Sequence, residues 1–325
     1  MRPASSFCDL RVRLSARAAD PVANFLMERG AAGLLDGTPP RSRQAVLTVS
    51  FPSRAAAGCA ARALGTYARA LRRLGLLRGG LRVTRRAVRA GGWADRWKRY
   101  ARPVRIGRRL LVRPSWVRGG AAGAGAVVTL DPGMAFGTGA HASTRLCLEA
   151  LARHVAGGER VLDLGTGSGV LAIAAAKLGA RPVLAVDSDP VACRVARENV
   201  RRNGVARRVR VCHGTLAAAG GPPFDVAVAN LTARELAAVL PRLARRVRAG
   251  GLAVLSGLLR TQEAAVRRAA RAAGLIPAAA RRRAGWVALE TRRPDVATRR
   301  HGEATPRRRV SPSPRPRVEG GGGVS

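Results

Sequence analysis

The stretch VLDLGTGSG, residues 161–169, places Asp163 just ahead of three glycines at Gly165, Gly167 and Gly169. Apolar residues before them and an alanine-rich run after them read as a strand that turns sharply into a helix. Glycine at such a turn lets a ligand approach the backbone closely. The spacing is GxGxG, not the GxGxxG of dinucleotide-binding turns. A carboxylate beside the loop also suits a ligand with an amino group better than a bare pyrophosphate. The pattern favours S-adenosylmethionine over NAD, with a purely structural strand-turn-helix junction as the alternative. The next strand, VLAVDSDP, ends in Asp187, roughly 20 residues after Gly165, where an acid accepts the ribose hydroxyls of a nucleoside. Asp189, followed by Pro190, reads instead as a helix N-cap.

Asn230 ends FDVAVAN, at the mouth of the sheet where ligands of open α/β folds lie. Its amide offers two donors and an acceptor; the alternative is an Asn that merely finishes a strand. Amino-group methyltransferases acting on adenine or glutamine usually carry Asn-Pro-Pro-aromatic here, and this chain has Asn-Leu-Thr-Ala. A second glycine-bearing loop, DPGMAFGTGAHAST at 131–144, runs directly into another apolar helix. His141 in it is a candidate base, and equally a cap or packing group. No metal site is suggested.

These residues need a frame. RVLDLG, RPVLAVDS, RVRVCHG, FDVAVAN and GGLAVLSG alternate with alanine-rich helices, which predicts a mainly parallel sheet in an α/β layer fold. The first 90 residues predict strand, helix, strand, strand, helix, strand, the order of a small ferredoxin-like α+β domain. In it Asp20 is expected to cap the first helix, with Pro21 at the first position and Gly30 just past the end. Residues 91–117 hold three of the four tryptophans and read as a connector, a hinge helix plus a strand. Residues 118–291 form the large domain, and 292–325, rich in Pro, Arg, Ser and Gly, a disordered basic tail.

Composition narrows the partners. The formal charge is +40, from 59 basic residues against 19 acids, and all the basic residues but Lys98 and Lys177 are arginine. A GC-rich coding bias explains arginine over lysine but not the excess of cations, so a weak RNA contact through the basic surface and tail stands beside an unspecific solvated surface. Five scattered cysteines suggest neither zinc nor disulfides, as in a reducing cytosol. No apolar run reaches the ~18 residues of a membrane span. The arginine-rich N-terminus alternates Leu10, Val12 and Leu14 like a strand and lacks the apolar centre of a secretory signal. A cytoplasmic monomer is the default expectation.

Taken together, GWADRWKRYARPVRIGRRLLVRPSW, LDPGMAFGTGAHAST, VLDLGTGSGVLAIAAAKLGA, AVDSDPVA and VANLTARELAAVLPRLARRVRAGGLAVLSGLL resemble the ribosomal large-subunit protein eleven (L11) methyltransferases. PGMAFGTGAH carries most of the likeness, because a generic methyltransferase fold does not require it. The resemblance implies a class I (Rossmann-like) methyltransferase domain and S-adenosylmethionine as cofactor, with Thr144, Gly165, Asp187 and Asn230 binding it. It implies N-methylation of lysine and N-terminal amines on that ribosomal protein, recognised by the 1–90 domain. The 131–144 loop would then close over the methionine end of the cofactor. Asn230 is the expected catalytic group, orienting the amine while solvent takes its proton. HAST replaces the family's His-Pro-Thr-Thr, and NLTA its Asn-Ile-Leu-Ala. An RNA methyltransferase, or a non-catalytic ribosome- or RNA-binding module that keeps the fold, are the competing readings.

Overall fold

The computed structural model describes residues 6–31, 33–38, 42–73, 75–89, 103–117, 119, 123, 125–131, 139 and 141–295. The alternation of Leu10, Val12 and Leu14 becomes strand β1 (Ser6–Ser15), whose apolar residues face inward. Helix α1 (Ala19–Glu28), strands β2 (Gly33–Asp36) and β3 (Gln44–Phe51), helix α2 (Arg54–Arg73) and strand β4 (Arg82–Arg89) follow. The sheet order is β2-β3-β1-β4, with every neighbouring pair antiparallel. That is the predicted ferredoxin-like arrangement. Val22 and Leu26 of α1 and Leu64 and Leu71 of α2 close its core over Leu10, Val12, Leu47 and Val49.

The start of α1 differs from expectation. A short 3-10 turn (Ala16–Ala18) leads from β1 straight into the helix, so Asp20 is the second residue of the helix and not the residue ahead of it. The Ala16 N–H is satisfied by the carbonyl of Arg43 at 2.9 Å, so the chain enters the turn on a backbone bond and needs no side-chain cap.

Residues 90–102, with Trp93, Trp97 and the helix expected there, lie outside the described residues. Beyond them β5 (Val104–Ile106), β6 (Leu110–Pro114) and β7 (Ala126–Leu130) form a second sheet, β5-β6 antiparallel and β6-β7 parallel. Its Ile106, Leu110, Val112, Val128 and Leu130 share a core with helices α3 (Ala142–His154) and α4 (Val170–Lys177).

The large sheet contains β8 (Val161–Leu164), β9 (Val183–Asp187), β10 (Val209–His213), β11 (Phe224–Asn230), β12 (Val247–Leu259), β13 (Ile276–Arg283) and β14 (Trp286–Arg292). Their order is β10-β9-β8-β11-β12-β14-β13, parallel from β10 through β12, with the β13-β14 hairpin added antiparallel. Alternation along each strand divides its side chains between two cores. Val226, Val228 and Val254 join α3, α4 and α5 (Pro190–Arg202) on one face. Leu162, Leu164, Ala227, Ala229 and Leu255 join α6 (Ala233–Arg246) and α7 (Glu263–Ala272) on the other. Both faces are covered, as a parallel sheet requires. The strand order reverses between β8 and β11, so the crevice at their carboxyl ends lies between Gly165 and Asn230.

No helix among the described residues is long and apolar enough to cross a membrane. Those residues also contain no group of three or more His, Cys, Asp or Glu placed to hold a metal ion.

Candidate active site

Gly165, Gly167 and Gly169 all adopt positive φ, at 75°, 54° and 84°, which carries the chain from β8 into α4. A side chain at Gly165 would also collide with Leu231, since a Cβ there would lie 2.4 Å from Leu231 Cδ2. The loop is stitched to β9: the N–H groups of Gly165 and Thr166 both donate to the carbonyl of Val186, at 2.8 and 3.0 Å.

Asp163 is fully buried beneath this loop. Its Oδ2 accepts from the Thr166 hydroxyl at 2.6 Å and the Ala172 N–H at 3.0 Å. Its Oδ1 is buried without a hydrogen-bond partner. Burial pushes the carboxyl up to about 7, against the pull of those two bonds. The site therefore contains a buried acceptor in need of a donor.

Asp187 ends β9 as predicted. Its Oδ2 accepts the Gly167 N–H at 2.8 Å and its Oδ1 the Asp189 N–H at 2.9 Å. The carboxylate thus holds the glycine loop in place, and each oxygen retains a second lone pair for a hydroxyl. Asp189 caps α5 by accepting from Val191 N–H at 2.8 Å, with Pro190 at the first position, as expected.

Asn230 and Thr144, 86 residues apart, meet across the mouth of the crevice. The Asn230 amide donates to the Thr144 hydroxyl at 3.1 Å, and Thr144 is buried in the first turn of α3. One turn along, Cys147 is also buried, and burial pushes its thiol up to about 12. It stays a protonated packing group at neutral pH. His141 immediately precedes α3, its Nδ1 2.8 Å from Ser143 Oγ and its ring edge-on to Trp286. It contributes no side-chain cap.

Of the first glycine loop, residues 132–138 and 140 lie outside the described residues, so its expected closure over a ligand falls there too. Its flanks are fixed. Gly139, at φ 78°, lies so close to β6 that a Cβ would come within 2.9 Å of Val112. At the other flank Asp131 is held by Asn199 of α5. Asn199 Oδ1 accepts the Asp131 N–H at 2.9 Å, and its Nδ2 donates to the carbonyls of Asp131 and Ser168, at 3.1 and 2.9 Å. One amide therefore joins the base of the first glycine loop to the interior of the second. Asn203, one turn later, holds both backbone groups of Thr129 in the same way.

Asn199 is the positioning residue that sequence reasoning missed. The available signal was a pair of asparagines four apart, ENVRRN, on one helix face. Thr232, in the NLTA that departs from the family's Asn-Ile-Leu-Ala, has a structural role. It is the N-cap of α6, in a reciprocal capping box with Glu235: its hydroxyl accepts the Glu235 N–H at 3.3 Å, and Glu235 Oε2 accepts the Thr232 N–H at 2.9 Å. Between Asn230 and Thr232, Leu231 is wedged against two glycines, Gly165 and Gly257. A Cβ at Gly257 would come within 2.2 Å of the Leu231 carbonyl.

The arrangement is a crevice with two carboxylates, an amide and a glycine turn at the strand ends. The family model described as Ribosomal protein L11 methyltransferase (PrmA) matches residues 6–294. A Symbiobacterium thermophilum ribosomal protein L11 methyltransferase is 39% identical over 306 residues, covering 89% of this chain and 99% of that one. The Pelotomaculum thermopropionicum protein of the same name is 47% identical over 210 residues, covering 65% and 68%. The crystal structure of ribosomal protein L11 methylase from Lactobacillus delbrueckii subsp. bulgaricus superposes with a TM-score of 0.55 at 31% identity, covering 59% of this chain and 98% of that one. Sequence over nearly its whole length and fold over 59% of it agree: the chain belongs to the ribosomal protein L11 methyltransferase family.

Proposed function

We propose that the chain is an S-adenosylmethionine-dependent protein N-methyltransferase that modifies lysine and N-terminal amines of ribosomal protein L11, as a cytoplasmic monomer. The observation that carries the reading is the pairing of Asn230 with Thr144 beside the glycine turn. The cofactor fits the residues present. Gly165 leaves the crevice floor bare where a Cβ would press on Leu231, the spare lone pairs of Asp187 suit a ribose diol, and the orphaned Oδ1 of Asp163 suits a donor. Thr144, Gly165, Asp187 and Asn230 would hold it. When bound, it supplies an electrophilic methyl group on a sulfonium.

The protein's work is alignment. Asn230 turns its Nδ2 to Thr144, which leaves Oδ1 as an acceptor for the N–H of an incoming amine. That bond aims the nitrogen lone pair along the line of displacement. A free lysine amine titrates near ~10.4, so it must shed a proton first. The low-dielectric crevice favours the neutral form, and solvent accepts the proton. The domain of residues 1–90 recognises the substrate protein, residues 91–117 connect it to the domain of residues 118–291, and 292–325 form a basic tail.

Incubation with labelled cofactor and either bare L11 or bare ribosomal RNA tests this. Label on the ε-amines and α-amine of the protein is expected. Label on RNA alone would establish the RNA methyltransferase reading in its place, and failure to bind the cofactor the non-catalytic one.

A further inference from the structure

The small domain carries a site that methyl transfer does not use. Residues 6–89 contain 16 arginines against 4 acids. Five of them, Arg13, Arg17, Arg43, Arg78 and Arg82, line one open groove of about 1090 Å³ at an end of the four-stranded sheet, with no acid among the described residues of its lining. They come from the end of β1, the 3-10 turn, the approach to β3, the segment after α2 and the start of β4. All five are exposed. None forms an ion pair with another described residue.

The groove is held together deliberately. The Arg43 carbonyl accepts from Ala16 N–H at 2.9 Å, and the Arg78 N–H donates to Ser15 Oγ at 3.4 Å, so both flanking segments are pinned to the end of β1. Arg13 and Arg82 stand directly opposite each other across β1 and β4. Like charges in that relation destabilise a sheet unless a counter-charge lies between them.

We propose that this groove binds the phosphodiester backbone of RNA. Guanidinium forks match phosphate oxygens bidentately, and five around one concavity match a chain of phosphates better than a single anion. The described residues of the lining include no aromatic side chain for a base to stack on, so recognition is of the backbone and indifferent to base sequence. A lipid surface fits less well. The groove is concave, and the exposed large hydrophobic residue among the described ones, Ile276, is on β13 of the other sheet.

The test uses the full chain and a labelled RNA hairpin, with affinity measured by fluorescence anisotropy across a salt series. Five phosphate contacts predict a slope of log affinity against log salt of about −4. The double variant Arg43→Gln, Arg78→Gln removes two loop cations without touching the sheet. It is expected to bind about tenfold more weakly at physiological salt, with a slope shallower by about 1.5. The matched control, Arg268→Gln with Arg271→Gln on α7, removes the same charge elsewhere and is expected to stay within about twofold of the parent. Thermal unfolding checks that both variants fold. Equal losses in the two variants would overturn the proposal and make the charge diffuse. So would unchanged RNA affinity in the groove variant, including the case in which it loses affinity for bare L11 or for phosphatidylserine vesicles. None of these readouts depends on methyl transfer, so its failure and the failure of the catalytic reading are separable.

Discussion

Asn199 holds Asp131 by both of its main-chain groups and, through the same amide, grips Ser168. Asp131, at the flank of one glycine loop, and Ser168, inside the other, are therefore tied together although widely separated in sequence. Asn199→Leu removes three hydrogen bonds to backbone groups, and a fourth from Arg202, at a fully buried position, and leaves the backbone partners unsatisfied. A stability loss of about 2–3 kcal/mol is expected by urea denaturation. Calorimetry should show a loss of cofactor affinity of about tenfold or more as the loops separate. Unchanged affinity in a destabilised variant would reduce Asn199 to a packing role.

Asn230→Ala removes the acceptor proposed for the incoming amine while leaving the 1–90 domain, proposed to recognise the substrate, untouched. Turnover should fall about 100-fold, in the range seen when one positioned polar group is lost, with affinity for L11 within about threefold. Wild-type turnover would end the proposed role. Asn230→Asp offers a second readout: it keeps an acceptor, the Thr144 hydroxyl can rotate to donate to the carboxylate, and part of the rate should be recovered.

Asp163 titrates near 7 because burial penalises its charge. A carboxyl raised in the folded state binds its proton more tightly there than in the unfolded chain. Its contribution to stability is thus greatest below the unfolded value of about 3.9 and declines as pH rises from there through 7. Denaturant midpoints should fall over that window, and Asp163→Asn should flatten the decline. A cationic ligand beside Oδ1 would favour the ionised form, so cofactor affinity should rise between pH 6 and 8 in the parent and stay level in Asp163→Asn. A parallel rise in both proteins would remove Asp163 from the binding site.

Ala142 is the first residue of α3, where the family resemblance led to a proline. The preceding His141 sits at φ −63°, ψ 140°, a conformation that a following proline favours. Ala142→Pro should therefore stabilise the chain by about 0.5–1 kcal/mol, chiefly by restricting the unfolded state. Chemical denaturation measures it. A loss of stability would mean that the Ala142 N–H is needed.

What was legible in the sequence followed from period and punctuation. Alternating Leu10, Val12 and Leu14 marked β1, the DP at 189–190 marked a cap, and the strand ends placed Asp187 and Asn230 at the crevice. Where one local signal competed with another, reading failed. Asp20 before Pro21 looked like a cap, but a backbone bond from a distant loop had already satisfied the turn. Thr232, three residues before Glu235, was a readable capping box overshadowed by its place in a motif. Asn199 was hidden for a different reason: on an amphipathic helix a polar side chain reads as solvent-facing, and only the fold reveals that its face meets two loops.

The opposed pair Arg13 and Arg82 gives salt two contrary effects on this molecule. Mobile anions quiet the repulsion between the two strands and so make the small domain harder to melt. The same anions would compete with the phosphate chain proposed for the groove those strands border. A preparation kept in concentrated salt is thus the sturdier and the emptier form, and gentle dilution is what would turn a well-behaved solute into a protein that adheres to nucleic acid.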